Sequence, residues 1–252
     1  LVNVPFIASY LCASFFVYFL VTGISMLRSL DMAEAAVEAQ CACIGNVGFL
    51  GIPMLAMLMG EAAVVWVMLV LSMDLLVFGS LLVILIVGSR DGRMTLDVLK
   101  SVGLGLIRNP MLMAMVAGLL WSSSGKPMPM PAAEFFDILG AAATPGALFA
   151  IGASLASKSA ERLTTAGWLA FCKLFLHPIA VAIAALLVFP VAPYPAAVMI
   201  AAAALPVAGN IFIVATHYNV APKRVSASIF ISTVASVFTV SIVIAWVTKL
   251  YA

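Results

Sequence analysis

Two short stretches set helix-breaking residues and amide side chains inside apolar runs long enough to cross a bilayer. Residues 45–53 read GNVGFLGIP, with Gly45, Gly48, Gly51 and Pro53 punctuating the run 34–59; residues 205–210 read LPVAGN, with Pro206, Gly209 and Asn210 inside the run 194–218. Each interior Gly costs a helix about 1 kcal/mol and each Pro about 3 kcal/mol. Hydrocarbon offers no water to satisfy the backbone groups so freed, so such breaks are tolerated only where protein or a polar cavity surrounds them. The chemistry available at a break is that of helix ends: N–H groups with partial positive charge suit an anion, and carbonyls suit a cation. Asn46 and Asn210 stand beside the breaks, and each amide can both donate and accept; capping of local backbone is the plainer role for both. Asn46, Gly48, Pro53, Pro206 and Asn210 are therefore the candidate substrate-binding positions.

Charges at membrane depth come next. Asp74 lies at the centre of the run 62–87. An ionised carboxylate there is costly and usually faces a cavity, a partner or a proton path. Asp74 is thus the candidate coupling residue, with neutral hydrogen-bonded packing as the alternative. Lys173 lies eight residues into the run 165–189, about 12 Å along a helix at about 1.5 Å per residue. It either snorkels to the surface or meets an anionic substrate or Asp74, and it joins the candidate binding set. His177, at i+4 on the same face, reads as a satisfied interior histidine, and Arg108, nearer an interface, as a snorkelling one. Cys12, Cys41, Cys43 and Cys172 form no CxxC pair, and the two histidines, His177 and His217, are forty residues apart. No metal-ligand set can be assembled from that spacing, so neither metal nor cofactor is expected and the cysteines read as small buried hydrophobes.

The elements that must position these residues are membrane spans. The chain is 65% hydrophobic and 9% charged, against roughly 25% charged for a soluble domain. Eight apolar segments can be cut, at 4–27, 34–59, 62–87, 101–121, 134–157, 165–189, 194–218 and 226–250. Each has the roughly 20 residues a bilayer crossing needs, which makes an all-α integral membrane protein of about eight transmembrane helices. A net charge of +2 supports no nucleic-acid partner. One face carries Arg28, Arg90, Arg93, Lys100, Lys158, Arg162, Lys223 and Arg224, and the other Lys126 and Lys249. The positive-inside rule puts the first face in the cytoplasm and both chain ends outside it, in the inner (plasma) membrane of a cell. Thr144-Pro145-Gly146 is expected to kink the fifth span. Ser228, Ser232 and Ser236 recur every four residues in the last, a stripe suited to close helix packing or to lining a pathway.

The broken spans, second and seventh, are an odd number apart and cross in opposite directions, as in inverted-topology transporters. The expected organisation is 1–88 as the remainder of an N-terminal repeat (three spans), 89–100 as a cytoplasmic loop and 101–252 as a C-terminal repeat of five spans. Two further N-terminal helices would complete a five-plus-five repeat.

The residues resemble the auxin efflux carrier family, which includes bacterial malonate and other carboxylate transporters. The resemblance lies in Gly45-Asn46-x-Gly48-x-x-Gly51-x-Pro53, Asn109-Pro110 with Gly118, and Leu148-Phe149-x-x-Gly152-x-Ser154-Leu155. It continues in Lys173-Leu174 with Pro178, Leu205-Pro206 with Asn210, and the Ser/Thr-rich last span. It implies ten helices in two inverted halves, similar in fold to bile-acid symporters and sodium/proton antiporters, with two helices broken at crossing prolines. Pro53 and Pro206 match those prolines, and the first two helices are absent from the chain.

These readings converge on a secondary active transporter, a permease or efflux carrier, rather than an enzyme. The expected substrate is a small organic anion, a carboxylate such as malonate or an auxin-like acid, moved by alternating access at the crossing helices. Protons are a candidate coupling partner and a homodimer a candidate assembly. The alternatives are a channel, a non-transporting membrane sensor or, less favoured for want of a nucleophile–base pair, an intramembrane enzyme.

Overall fold

The computed structural model describes residues 3–91, 100, 103–104, 107, 110–156 and 163–251. The expected positions Arg108, Asn109, Lys158 and Arg162, and 92–99 of the connecting loop, lie outside the described residues. Helix α1 is Val4–Leu27 and α2 is Met32–Cys43. Both begin on caps: the Phe6 amide donates to the Asn3 side chain at 3.1 Å and the Glu34 amide to the Asp31 carboxylate at 2.8 Å, which satisfies one of the unpaired first-turn donors each time. After the break follow α3 (Val47–Met59) and α4 (Ala63–Ser89). Helices α5 (Pro110–Ser123) and α6 (Met130–Ala156) come next, and α6 stays helical through 144–146. Helix α7 is Leu163–Val188, α8 Pro193–Ala203, α9 Asn210–His217 and α10 Pro222–Val247.

Four of the described helices, α1, α4, α7 and α10 with its final turn, are long and apolar enough to cross a membrane, and α3 and α8 are shorter apolar pieces. The remaining apolar segments stay sequence expectations. Among the described residues the non-helical pairing is a single antiparallel bridge, Gly45 with Val207.

Packing follows side-chain size. Phe6, Tyr10, Val17, Tyr18 and Val21 of α1 are buried, and so are the alanines at 35, 36, 39 and 42 of α2. Every residue from Pro195 to Ala203 of α8 is buried, and five of those nine are alanine. Small side chains let backbones approach closely where lipid supplies no hydrophobic drive. The outer surface is apolar instead: Phe16, Phe238 and Ile242 are exposed. Cys41, Cys43 and Cys172 are buried as expected, but Cys12 is exposed. It shares a helical stripe with the exposed Phe16, Phe19 and Leu20 at i+4, i+7 and i+8, so helical phase rather than residue type sets its place.

Candidate functional site at the meeting of the two breaks

The helix α2 stops at Cys43 because Ile44 is extended, and α3 restarts with a π-helical turn at Val47–Gly51. The helix α8 stops at Ala203, and α9 begins at Asn210. The two gaps lie side by side and antiparallel. The Asn46 amide donates to the Pro206 carbonyl at 2.8 Å, and the Ala208 amide to the Ile44 carbonyl at 3.1 Å. The Val207 amide donates to the Ser232 hydroxyl of α10 at 3.1 Å. Backbone groups freed by one break are thus satisfied by the other break and by the serine stripe, as a membrane interior demands. At the far end of α3 the Tyr194 hydroxyl, at the start of α8, donates to the Met59 carbonyl at 3.0 Å.

The glycines of the first break answer a close approach. A methyl group on Gly51 would come within 2.7 Å of Leu205 Cδ1. One on Gly45 would meet the Ala202 carbonyl, Leu205 Cβ and Lys173 Cε, all at 3.3 Å. Gly48 sits half-buried in the π turn, and Pro53 sits half-buried just after it, where α-helical geometry resumes at Ile52. Pro206 is buried within the gap. Asn46 is 8% exposed and makes no side-chain capping bond, whereas Asn210 is exposed at the first turn of α9. Beside the first break, a cleft of about 490 Å³ runs along Leu50, Met54 and Leu58 and along Thr233, Ser236 and Ser241 of α10.

Lys173 does not snorkel. It is fully buried on a π turn of α7 (Cys172–Leu176), and its ammonium donates to the Ala203 carbonyl at the end of α8. A cation at that end suits the negative pole of the half-helix. His177 Nδ1 is 3.2 Å from Lys173 Nζ, and His177 Nε2 is 2.9 Å from the Ser14 hydroxyl of α1. Asp74, 3% exposed, opens a π turn of α4 (Asp74–Phe78). Its Oδ1 accepts from the Tyr10 hydroxyl at 2.7 Å, while Oδ2 is buried without a partner. π turns often occur at functional sites; here they carry both expected intramembrane charges. Asp74 and Lys173 feel each other's charge, yet no ion pair within 4 Å joins them.

Sequence reasoning missed two groups of residues. Tyr10, Ser14, Tyr18 and Ser25 are buried at helical spacing along α1, a polar stripe that the 3.6-residue period could have revealed. Glu38, fully buried in α2, accepts from Ser25 at 2.6 Å, Arg28 at 2.9 Å and Arg224 of α10 at 2.8 Å. The criterion that picked out Asp74, an acid inside an apolar run, applies equally to Glu38.

Against known proteins, the family model described as "Membrane transport protein" matches residues 80–244. A protein of Rhizobium meliloti (strain 1021) named "Putative malonate transporter" is 29% identical over 247 residues, covering 96% of this chain and 76% of its own length.

Proposed function

The chain belongs to the membrane transport protein family, and from that premise we propose that it is a secondary active transporter of a small organic anion. The substrate class we favour is small carboxylates, with malonate, named for the Rhizobium relative, as the first probe. The observation that carries the reading is the mutual backbone pairing of 44–46 with 206–208. It brings together the beginnings of two oppositely directed half-helices, α3 and α9, beside the amide of Asn46. The starts of half-helices carry partial positive charge suited to a carboxylate, and Lys173, packed against Gly45, adds a full one. Transport follows by alternating access about this meeting point, with Asp74 as the coupling carboxyl and protons as the coupling ion. Chain segments 1–88 and 101–252 act as the two inverted repeats, and the face bearing Arg28 and Arg224 is cytoplasmic in the inner membrane.

The test is uptake of labelled malonate and other mono- and dicarboxylates into proteoliposomes, with countertransport to separate a carrier from a channel. Losing one amide hydrogen bond to a charged oxygen costs about 1.5–3 kcal/mol, or about tenfold or more in affinity. Asn46→Ala and Asn210→Ala are expected to show that loss while remaining folded. Pro53→Ala and Pro206→Ala are expected to slow transport by mending a helix and distorting the break. Normal transport by all four variants would remove the meeting point as the site.

A further inference from the structure

We infer that a groove between α7 and α10 holds one acyl chain of an anionic phospholipid, whose phosphate meets Lys249 and whose chain backs the turn that carries Lys173. The lipid site rests on the membrane-spanning helices alone; its effect on transport rests on the transporter reading above.

Helix α10 packs on α7 along Leu163–Phe171 and along the π turn that follows. Beyond that turn, Pro178 and a second π turn, Ala184–Val188, interrupt α7. There a groove of about 420 Å³ lies between the two helices, over Ile200 of α8. One wall is Phe175, Ile179 and Ile183 of α7, at i, i+4 and i+8 on one face; the other is Ile242 and Trp246 of α10. These five side chains are exposed, and both helices are long and apolar enough to cross a membrane. What meets the groove is therefore hydrocarbon, and a chain lying in it gains dispersion contacts from both walls and the floor.

The polar end selects the lipid. Trp246 in the last turn of α10, Tyr194 at the start of α8 and Tyr251 gather at one end, the two tyrosine rings with centroids 5.0 Å apart. Aromatic residues so placed sit at headgroup level. Lys249 follows Trp246 by three residues in the final turn, on the same stripe. It is exposed, and among the described residues no ion pair within 4 Å reaches it. Residues 163–252, which supply α7 to α10, contain no Asp or Glu. A lysine without a counter-ion at headgroup level favours an anionic lipid over a zwitterionic one, whose phosphate brings its own positive charge.

The inner end of the groove reaches the transport site. Leu174 and Phe175 line it and belong to the turn Cys172–Leu176 that carries Lys173. The Ile200 carbonyl accepts from the Ala204 amide at 3.0 Å, beside the Ala203 carbonyl that takes the Lys173 ammonium. A chain in the groove thus packs on both elements that the Lys173 contact joins. Thr239 discriminates between occupants, because its hydroxyl oxygen is buried in the groove without a partner. A hydrocarbon chain offers it nothing, so replacing it by a methyl of the same shape is neutral or favourable. An occupant with a polar group at that depth would lose a hydrogen bond instead.

The experiment reconstitutes the full-length protein in vesicles holding brominated phosphatidylglycerol or brominated phosphatidylcholine and follows tryptophan fluorescence, with Trp246→Phe identifying the Trp246 contribution. The anionic lipid is expected to quench Trp246 at about fivefold lower mole fraction, the advantage of one lysine beside an anionic lipid. Lys249→Gln is expected to abolish that preference and Thr239→Val to keep it. Ala182→Phe, which fills the groove from α7, should weaken quenching by both lipids; a melting curve shows that it folds, and the Lys249→Gln arm stands without it. Equal quenching of wild type by both lipids means bulk lipid only and overturns the site, as does a preference that survives Lys249→Gln. Quenching lost in Thr239→Val overturns the acyl chain as occupant. A Trp246 shielded from both lipids, as a second copy seated on the groove would leave it, overturns it too. Malonate exchange by wild type is expected to run several-fold slower in phosphatidylcholine alone than with phosphatidylglycerol present. Exchange indifferent to headgroup overturns the link to Lys173 and leaves the lipid site. Failure to exchange any carboxylate sinks the transporter reading, while the quenching result decides the lipid site by itself.

Discussion

Two buried carboxylates, Glu38 and Asp74, stand in the same apolar body under opposite regimes. Glu38 is filled: three donors from α1, its C-cap and α10 occupy its two oxygens, and Arg224 reaches on to Glu34 at 3.7 Å. Asp74 has one donor and an empty oxygen, and the ammonium nearest in function is bound to a carbonyl and an imidazole instead. A carboxylate gripped by two guanidiniums and a hydroxyl, with both oxygens occupied, fastens helices together. Asp74 keeps an unoccupied oxygen, and the Lys173 ammonium, bound to a carbonyl and an imidazole, has no carboxylate against it. On the proposed coupling role of Asp74, fastening and switching fall to two clusters, both of which contact α1.

The largest effect is therefore expected at Glu38. Glu38→Gln removes the charge and leaves Arg224, 7% exposed, with only the longer 3.7 Å pairing to Glu34. Breaking a buried pair by removing one partner costs about 3–5 kcal/mol. Thermal unfolding in detergent should drop accordingly, and a wild-type melting curve would show that the cluster fastens nothing. Restoring the charge as Glu38→Asp is expected to recover part of the loss.

The breaks fall between the two regimes, since their backbone is satisfied but their packing is tight. Gly51→Ala would set a methyl 2.7 Å from Leu205 Cδ1. Leu205 must then move, and overpacking of this kind costs about 1–3 kcal/mol. The expected signature is a lower melting temperature together with slower carboxylate exchange, because Leu205 directly precedes Pro206. A variant of wild-type stability and rate would mean that the second gap yields freely and that its contact with α3 is incidental.

What could be read from residue order follows from how local each signal is. Gly45, Gly51, Pro53 and Pro206 mark breaks because a helix cannot absorb them, and the structure sets the two breaks against each other. Asp74 and Lys173 stood out because charge is rare in an apolar run, and both prove buried on π turns. The partners of those charges could not be read. Ser14 meets His177 across 163 residues and Tyr10 meets Asp74 across 64, and no local pattern encodes such distances. The exposure of Asn210 and the burial of Asn46 were equally illegible, because the two motifs look alike until tertiary packing distinguishes them.

Within the serine stripe the comparison repeats on a small scale. Ser228 and Ser236 donate to carbonyls of their own helix, whereas the Ser232 hydroxyl also receives the Val207 amide of the second break. Ser232→Ala would leave a buried N–H unsatisfied, at about 1–3 kcal/mol, while Ser228→Ala, whose hydroxyl only donates to the Arg224 carbonyl of its own helix, strands no donor and is expected to cost less. Melts of the two single variants measure the difference directly. Equal effects would mean that the stripe is only a packing surface.

A small stability effect, and the sharpest contrast with Glu38, is expected at Asp74. Asp74→Asn keeps an oxygen to accept from Tyr10 and strands no guanidinium. Lys173 retains its bonds to the Ala203 carbonyl and His177, so melting should shift by less than about 1 kcal/mol, the size of one ordinary hydrogen bond. Function should move the other way: gradient-driven uptake is lost while malonate binding persists. Adding Lys173→Met tests whether the two charges act together. If they do, the double variant departs from the sum of the single variants' effects, as contacting or networked residues do. If Asp74→Asn is as damaging to stability as Glu38→Gln, the open carboxyl is a fastening too, and the division between the two clusters collapses. If it retains both wild-type stability and gradient-driven uptake, Asp74 is packing and its empty oxygen has no part in transport.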